Sequence, residues 1–452
     1  MIIPHDVGVP GLKRVLIVFV ALLPASVWLS CGGSSPSSSA QTSGLKDRAF
    51  ISNSVSAGTL AAGVYILNAA TDVVASASPI SVGNTPEMMV VTPNRAETLV
   101  FSGNGTQSSD NQLTIINNAG ESATAHETLQ GPTQSIVVSP DSSIAYVAIP
   151  TAAVVGSSPG IVQVISINGG SIGQAEVPGV RYLAINNSGD RILGFSDNSD
   201  SVAVITPSQI GIPNGVAVTS IGGPGIFDHP IAAFFSPDDT TAYIVSCGAE
   251  CGGTQASVQQ FNLVTNTLVA SVPACTPGPN PQCAGSISLV NNSTMYLAGT
   301  PMAAGVPTQA CTGETTAAAT CGLLTVIDLP SMTVTKSGIV ITDGYHDRMA
   351  LGANGQLFVG ARTCTEIIPP VPTPTGAEVR GCLSIYNTQT GAVVIPPANG
   401  DVTGIQPIAK RAVVYVVQGG SLGIYDTTTA ALQTLQITNL VGEFFDVKTV
   451  DF

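Results

Sequence analysis

Short apolar runs punctuated by turn residues fill this chain from about residue 45 to its end. Residues 88–92, 99–102 and 113–117 form one set, with Pro93-Asn94-Arg95-Ala96 between the first two runs. The order returns in 136–139, Pro140-Asp141, 146–148 and 162–167. It returns again in 232–236, Pro237-Asp238-Asp239, 243–246 and 258–263. Runs this short, bounded by Pro, Asn, Asp and Gly, predict buried strands rather than helices. Pro presets φ at such turns, and Asp and Asn hydrogen-bond their own backbone.

The sets repeat. An aromatic or apolar residue holds one fixed place in a strand at Phe50, Val100, Tyr146, Leu193, Tyr243, Tyr296, Phe358 and Tyr415. The intervals are 50, 46, 47, 50, 53, 62 and 57 residues. A period of roughly 40–50 residues made only of strands and turns predicts an all-β propeller. The first unit has candidate second and third strands at 48–52 and 64–68, but only a linker precedes them. Residues 444–451 (FFDVKTVD) are left over at the C-terminus and are expected to supply its inner strand. That closes a ring of eight blades and removes the exposed sheet edges.

One consensus runs through the units: P-x-x-x-h-V-[ST]-P-[DN], then Y-V or Y-I, then V-I-[DN]-x-x-T-N-x-h-V. Its residues are Pro86, Thr92-Pro93-Asn94, Pro132, Ser139-Pro140-Asp141, Pro230 and Ser236-Pro237-Asp238. Tyr146-Val147, Tyr243-Ile244 and Tyr415-Val416 continue it. Ile66-Leu67-Asn68, Ile115-Ile116-Asn117, Phe261-Asn262-Leu263-Val264-Thr265-Asn266-Thr267 and Val326-Ile327-Asp328 supply its third strand. The pattern resembles the YVTN-type β-propeller repeat from about residue 45 onward, with blades four, seven and eight departing most. That family more often has seven blades, the alternative to the eight counted here.

Composition adds an address. Charged residues are only 9% of the chain, against about 25% in a typical soluble domain. Lys13 and Arg14 precede an apolar run at 15–29 that ends in Ser30-Cys31-Gly32-Gly33. The run is too short for a typical spanning helix, so residues 1–30 are expected to be a cleaved signal. The ending resembles the lipobox of bacterial lipoproteins, with Trp28 where leucine is usual. By that resemblance Cys31 is lipidated, and the missing aspartate after it favours the outer membrane; the alternative is an ordinary secretory signal. Residues 32–44 form a charge-free Gly/Ser linker spanning about 20 Å as a flexible coil. The domains are therefore 1–30, 31–44 and a propeller at 45–452. Loss of residues 1–30 leaves 12 basic against 27 acidic residues, a net charge near −15. That disfavours nucleic acid, whose binding depends on cationic side chains.

Eight cysteines remain beyond Cys31, an even number in a chain expected to be exported. Neighbours bracket loops: Cys247–Cys251, Cys275–Cys283, Cys311–Cys321 and Cys364–Cys382 are the expected disulfides. Metal or redox chemistry at Cys247-x-x-x-Cys251 is the rival, although no histidine is near in sequence. The three longest intervals contain these pairs.

Propellers bind ligands at the channel mouth, on loops leading into inner strands. There the chain places Glu87, Gln134, Arg181, Asp228-His229 and His346-Asp347-Arg348. The leading reading is a non-enzymatic, monomeric, lipid-anchored scaffold that binds a protein or a small ligand. The alternative is a periplasmic enzyme at the same loops. A lactonase-like hydrolase would draw on Glu87, Asp228 and Asp347 around a divalent metal. A haem d1-type domain would use His229 or His346 as axial ligand. Asp197-Asn198-Ser199-Asp200 could hold calcium, or simply make a hairpin turn. No P-loop or H-E-x-x-H occurs. Trp28 is the only tryptophan, so protein purified after signal cleavage is expected to emit as a tyrosine-only species. A tryptophan band in its fluorescence spectrum would show that residues 1–30 remain.

Overall fold

The computed structural model describes residues 42–451 except 55–60, 76–78, 104–109, 279–280, 302–320, 365–380, 397–399, 430 and 435–441. Its strands form eight four-stranded antiparallel sheets. Each expected fixed-place residue, from Phe50 to Tyr415, lies in the second strand of its blade. Blade 2 shows the plan: Pro86–Val91 innermost, then Glu97–Ser102, Gln112–Asn117 and Ser122–Thr128 outermost. The seven-blade alternative is set aside.

The turn chemistry explains the consensus. In blade 3 the Ser139 hydroxyl donates to Asp141 and accepts the backbone N–H of Ile144, 3.0 Å away. Thr92 with Asn94, and Ser236 with Asp238, repeat the arrangement. The next residue then adopts positive φ: Arg95 at 58°, Ser142 at 62° and Asp239 at 56°. A hydroxyl, a proline and a short Asx side chain thus lock each hairpin between first and second strands.

The core is a ring of layers between blades rather than one central mass. Leu99, Phe101 and Ile115 of blade 2 pack on Ile136, Val147 and Ile161 of blade 3. Each of the seven other junctions has a cluster of the same kind. Outermost strands add single residues to this core, such as Ala175 and Val272, while Ser171–Glu176 is mostly exposed and Ser122–Thr128 has no buried residue. They carry little apolar signal and were not foreseen.

The ring closes as expected. Phe444–Thr449 pairs antiparallel with Arg48–Asn53 and is the innermost strand of blade 1. Polar side chains then weld that strand to blade 2. Buried Asp446 accepts the Met89 backbone N–H at 2.9 Å and the Lys448 ammonium at 2.7 Å. The Ser52 hydroxyl accepts the Asp446 N–H at 2.9 Å and donates to the Glu87 carbonyl at 2.7 Å. At the other end of the strand, Arg48 pairs with Asp451 at 2.7 Å and Glu121 at 2.9 Å.

Three expected disulfides are formed: Cys247–Cys251, Cys275–Cys283 and Cys364–Cys382. Cys321 is also disulfide-bonded, and its expected partner Cys311 lies outside the described residues. Because the four strands of a blade alternate in direction, second-to-third loops and blade-to-blade loops share one face. The three formed staples occupy such loops, so all sit on the face where inner strands begin. We call it the upper face.

Replacing Asp446 by Ala orphans the Met89 N–H and leaves Lys448 without its carboxylate. Loss of a buried, charge-assisted hydrogen bond set is expected to cost about 2–3 kcal/mol. Denaturant unfolding of the variant checks this, and an unchanged midpoint contradicts the weld.

Candidate functional site

Register builds the site. In six blades the inner strand carries an extra residue at its upper end, opposite a single residue of the second strand. Arg181, Ile231, Asp347 and Thr403 are the inserted residues in blades 4, 5, 7 and 8. Glu87-Met88 stand opposite Phe101 in blade 2, and Phe445-Asp446 opposite Ser52 in blade 1. A bulge breaks the in–out alternation of a strand and re-aims a side chain.

A cavity of about 760 Å³ opens where the bulges converge, at the upper mouth of the channel. Glu87, Met88, Ile231, Asp347 and Phe445 line it, joined by Arg348 and Arg362. Arg362 Nε lies 2.7 Å from Asp347 Oδ2, and its guanidinium stacks 5.2 Å above the Phe445 ring centre. Arg348 Nη1 is 3.3 Å from the same oxygen, while its Nε donates to the Thr403 carbonyl at 2.6 Å. Asp347 Oδ1 and the Ser288 hydroxyl are buried without hydrogen-bond partners. Burial raises the Asp347 carboxyl against the pull of Arg348 and Arg362. Burial likewise raises Glu87, opposed only by Arg362.

Two tyrosines bridge the mouth. Tyr182 of blade 4 and Tyr345 of blade 7 share a 2.5 Å hydrogen bond between their hydroxyls. Both line the main cavity and also a neighbouring recess of about 320 Å³. Gln134 Oε1 accepts from Arg181 at 3.3 Å and from Tyr182 at 3.4 Å.

The expected residues do not all converge. Glu87, Asp347 and Arg348 line the main cavity, whereas Arg181 and His229 line only the recess. His346 corrects the expectation of a mouth ligand. Its side chain is fully buried, Nε2 lies 3.0 Å from the Thr342 carbonyl, and burial pushes its pKa down to about 4. The bulge leaves His346 on the core side while Asp347 lines the cavity. Asp228 is spent on the loop after it, accepting from the backbone N–H of Thr254 at 2.8 Å and of Gln255 at 2.7 Å. Burial raises it, but those bonds outweigh burial and hold it below the usual carboxylate range. A hydrolase trio of Glu87, Asp228 and Asp347 is therefore not assembled.

Asp197 and Asp200 diverge as well. Asp197 pairs with Arg181, while Asp200 Oδ1 lies 3.4 Å from His229 Nδ1. His229 Nδ1 is also 3.2 Å from Asp228 Oδ1, so the imidazole sits between two carboxylates. Neither histidine fits an axial haem ligand for the main cavity, since His346 is packed away and His229 is absent from its lining. Three G-x-S-x-G pentapeptides, around Ser158, Ser171 and Ser421, sit in a loop or open a strand. None makes the strand-to-helix elbow that catalysis from that motif needs.

Glu250 was missed. It lies in the turn between Cys247 and Cys251 and lines the recess. It reaches the next blade, where the Thr300 N–H donates to it at 3.0 Å. Burial pushes it up to about 7 despite bonds from Ser286, Thr300 and Gly285. A lone acid inside a two-cysteine loop was the only available signal.

No protein-family model matches the chain, and no curated protein does. Among solved structures it is similar to dihydro-heme d1 dehydrogenase NirN in complex with DHE, with a TM-score of 0.55 and 14% identity. That match covers 90% of this chain and 75% of the other. Hydrazine synthase of Kuenenia stuttgartiensis matches with a TM-score of 0.52 and 13% identity, over 76% of this chain and 95% of that one. The β-propeller domain of Myceliophteria thermophila Cps50 (Swd1) matches at 0.50 and 8%, over 77% and 98%. Likeness at such identities shows the propeller fold.

A raised Glu250 favours folding while it is protonated, fully so below the ordinary value near 4.5. That contribution is lost as pH rises through about 7 and amounts to about 3 kcal/mol. Wild-type protein is expected to lose stability from pH 5 to pH 8, and Glu250→Gln to lose distinctly less. Equal losses in denaturant titrations at both pH values contradict the assignment.

Proposed function

We propose that this protein is an exported, lipid-anchored propeller that binds a small ligand in its upper cavity. The observation that carries the reading is the bulge-built cavity itself. Inner strands of four blades spend regular pairing to point residues at one space of ligand size, mixing apolar walls with a few convergent polar groups. Such concavities bind ligands; a pure scaffold needs none. The YVTN-like turn consensus supports membership among propellers of that repeat type.

The address rests on sequence chemistry. The apolar run, Ser30-Cys31-Gly32-Gly33 and the uncharged linker support lipidation at Cys31 and a tether to the outer membrane. Three disulfides in the propeller support folding in an oxidising compartment. The acidic excess argues against nucleic acid as a partner, and closure of the ring within one chain supports a monomer. The periplasmic-enzyme alternative gains little from the geometry, because its carboxylates and histidines do not meet.

A metabolite panel screened by thermal shift tests the cavity. Ligands are expected to raise the melting temperature of wild-type protein and to leave Ser288→Trp, which fills the cavity, unmoved. Ligand shifts that persist in that variant overturn the site. Cys31→Ser is expected to move the protein from the membrane fraction to the soluble one.

A further inference from the structure

Resting on the reading of the upper cavity as a ligand site, we infer that its ligand is a small organic ammonium carried on an apolar body. The cavity's own charges leave acceptors open. Its two cations both face the Asp347 carboxylate, although the buried Arg362 Nε makes no hydrogen bond. Arg348 donates to the carbonyls of Thr403 and Asp347, at 2.6 and 2.8 Å, and faces the Asp347 carboxylate. Arg362 is held by that carboxylate and by the face of Phe445. The acceptors are not committed. Asp347 Oδ1 has no hydrogen-bond partner, and the Glu87 carboxylate receives no hydrogen bond from the described residues. Asp401, outside the lining, adds negative charge behind Asp347.

A carboxylate withdrawn from water without a donor is costly, and an ammonium restores what burial removed. An anionic ligand would meet Glu87 and Asp347, and both lining arginines already face the Asp347 carboxylate. A bare metal ion is disfavoured too. Among the described residues, the one cluster of three metal-ligating groups is Asp200, Asp228 and His229, outside this cavity. Met88, Phe101, Ile231 and Phe445 line the remaining wall, which suits an alkyl or aryl body and the face-on attraction of aromatic rings for cations. The acidic chain, with a formal charge of −14, steers cations inward over a longer range.

Isothermal titration with three probes of one shape tests this: phenethylammonium, 2-phenylethanol and 3-phenylpropanoate. The ammonium is expected to bind at least tenfold more tightly than either of the others. Glu87→Gln should weaken the ammonium about tenfold while leaving the alcohol unchanged, and Glu87→Asp should recover part of the loss. Glu87 makes no side-chain hydrogen bond to lose, so both variants are expected to melt like wild type. The inference is overturned if the propanoate binds as well as the ammonium, if Glu87→Gln has no effect, or if none of the probes binds. Binding of the alcohol or propanoate that Ser288→Trp abolishes would sink the ammonium class alone and leave the ligand cavity standing.

Discussion

Everything in this molecule depends on a sheet edge that must not stay open. A propeller whose first and last strands fail to meet presents two rows of unpaired backbone groups, and each blade has only its neighbours to pack on. Phe444–Thr449 removes both edges by joining Arg48–Asn53. Its hold is more than a ladder. Asp446 reaches across to the Met89 N–H of blade 2, and Ser52 ties that blade's Glu87 carbonyl to the same strand. The groups that close the ring are therefore neighbours of Glu87 and Phe445, which line the cavity. Closure and site share one set of bonds.

What could be read from the sequence follows from how local its physics is. A hydroxyl, a proline and an Asx residue lock a hairpin within six residues, as Ser139 and Asp141 do with Ile144, so the turns announce themselves in any register. Second and third strands are buried between blades on both faces, and their apolar runs are plain. Outer strands such as Ser171–Glu176 lie largely in solvent and leave no periodic trace. Bulges are silent for another reason. An inserted residue such as Asp347 differs from its neighbours only in which partner it lacks, and that is settled across the sheet. His346, Asp347 and Arg348 look like one polar loop in sequence. In the blade the first turns into the core and the others turn to the mouth.

The cysteines bear on the site through topology. Loops between second and third strands, and between blades, emerge on the upper face. Cys251 and Glu250 of one stapled turn line the recess beside Tyr345. At blade 7, Cys382 Sγ lies 3.9 Å from the Asp401 carboxylate, which adds negative charge behind Asp347. Short covalent loops restrict the unfolded chain only modestly, roughly 3 kcal/mol for a loop of about 15 residues. Their larger consequence is positional: the Cys247–Cys251 turn sets Glu250 beside the recess.

Charge is scarce in this protein, and that makes its distribution an argument. A chain with 9% charged residues spends several of them on exposed hairpin turns, as at Asp141 and Asp238. Around Asp347 it nonetheless gathers Glu87, Asp401, Arg348 and Arg362, partly dehydrated and with Asp347 Oδ1 unmatched. For stability alone, well-packed apolar residues would serve that position better, because a half-satisfied buried network is weaker than none. Asp446 shows the contrast: more deeply buried than Asp347, it has filled its acceptors and works as a weld. The difference between a filled carboxylate and an unfilled one separates what holds the ring together from what the ring holds open.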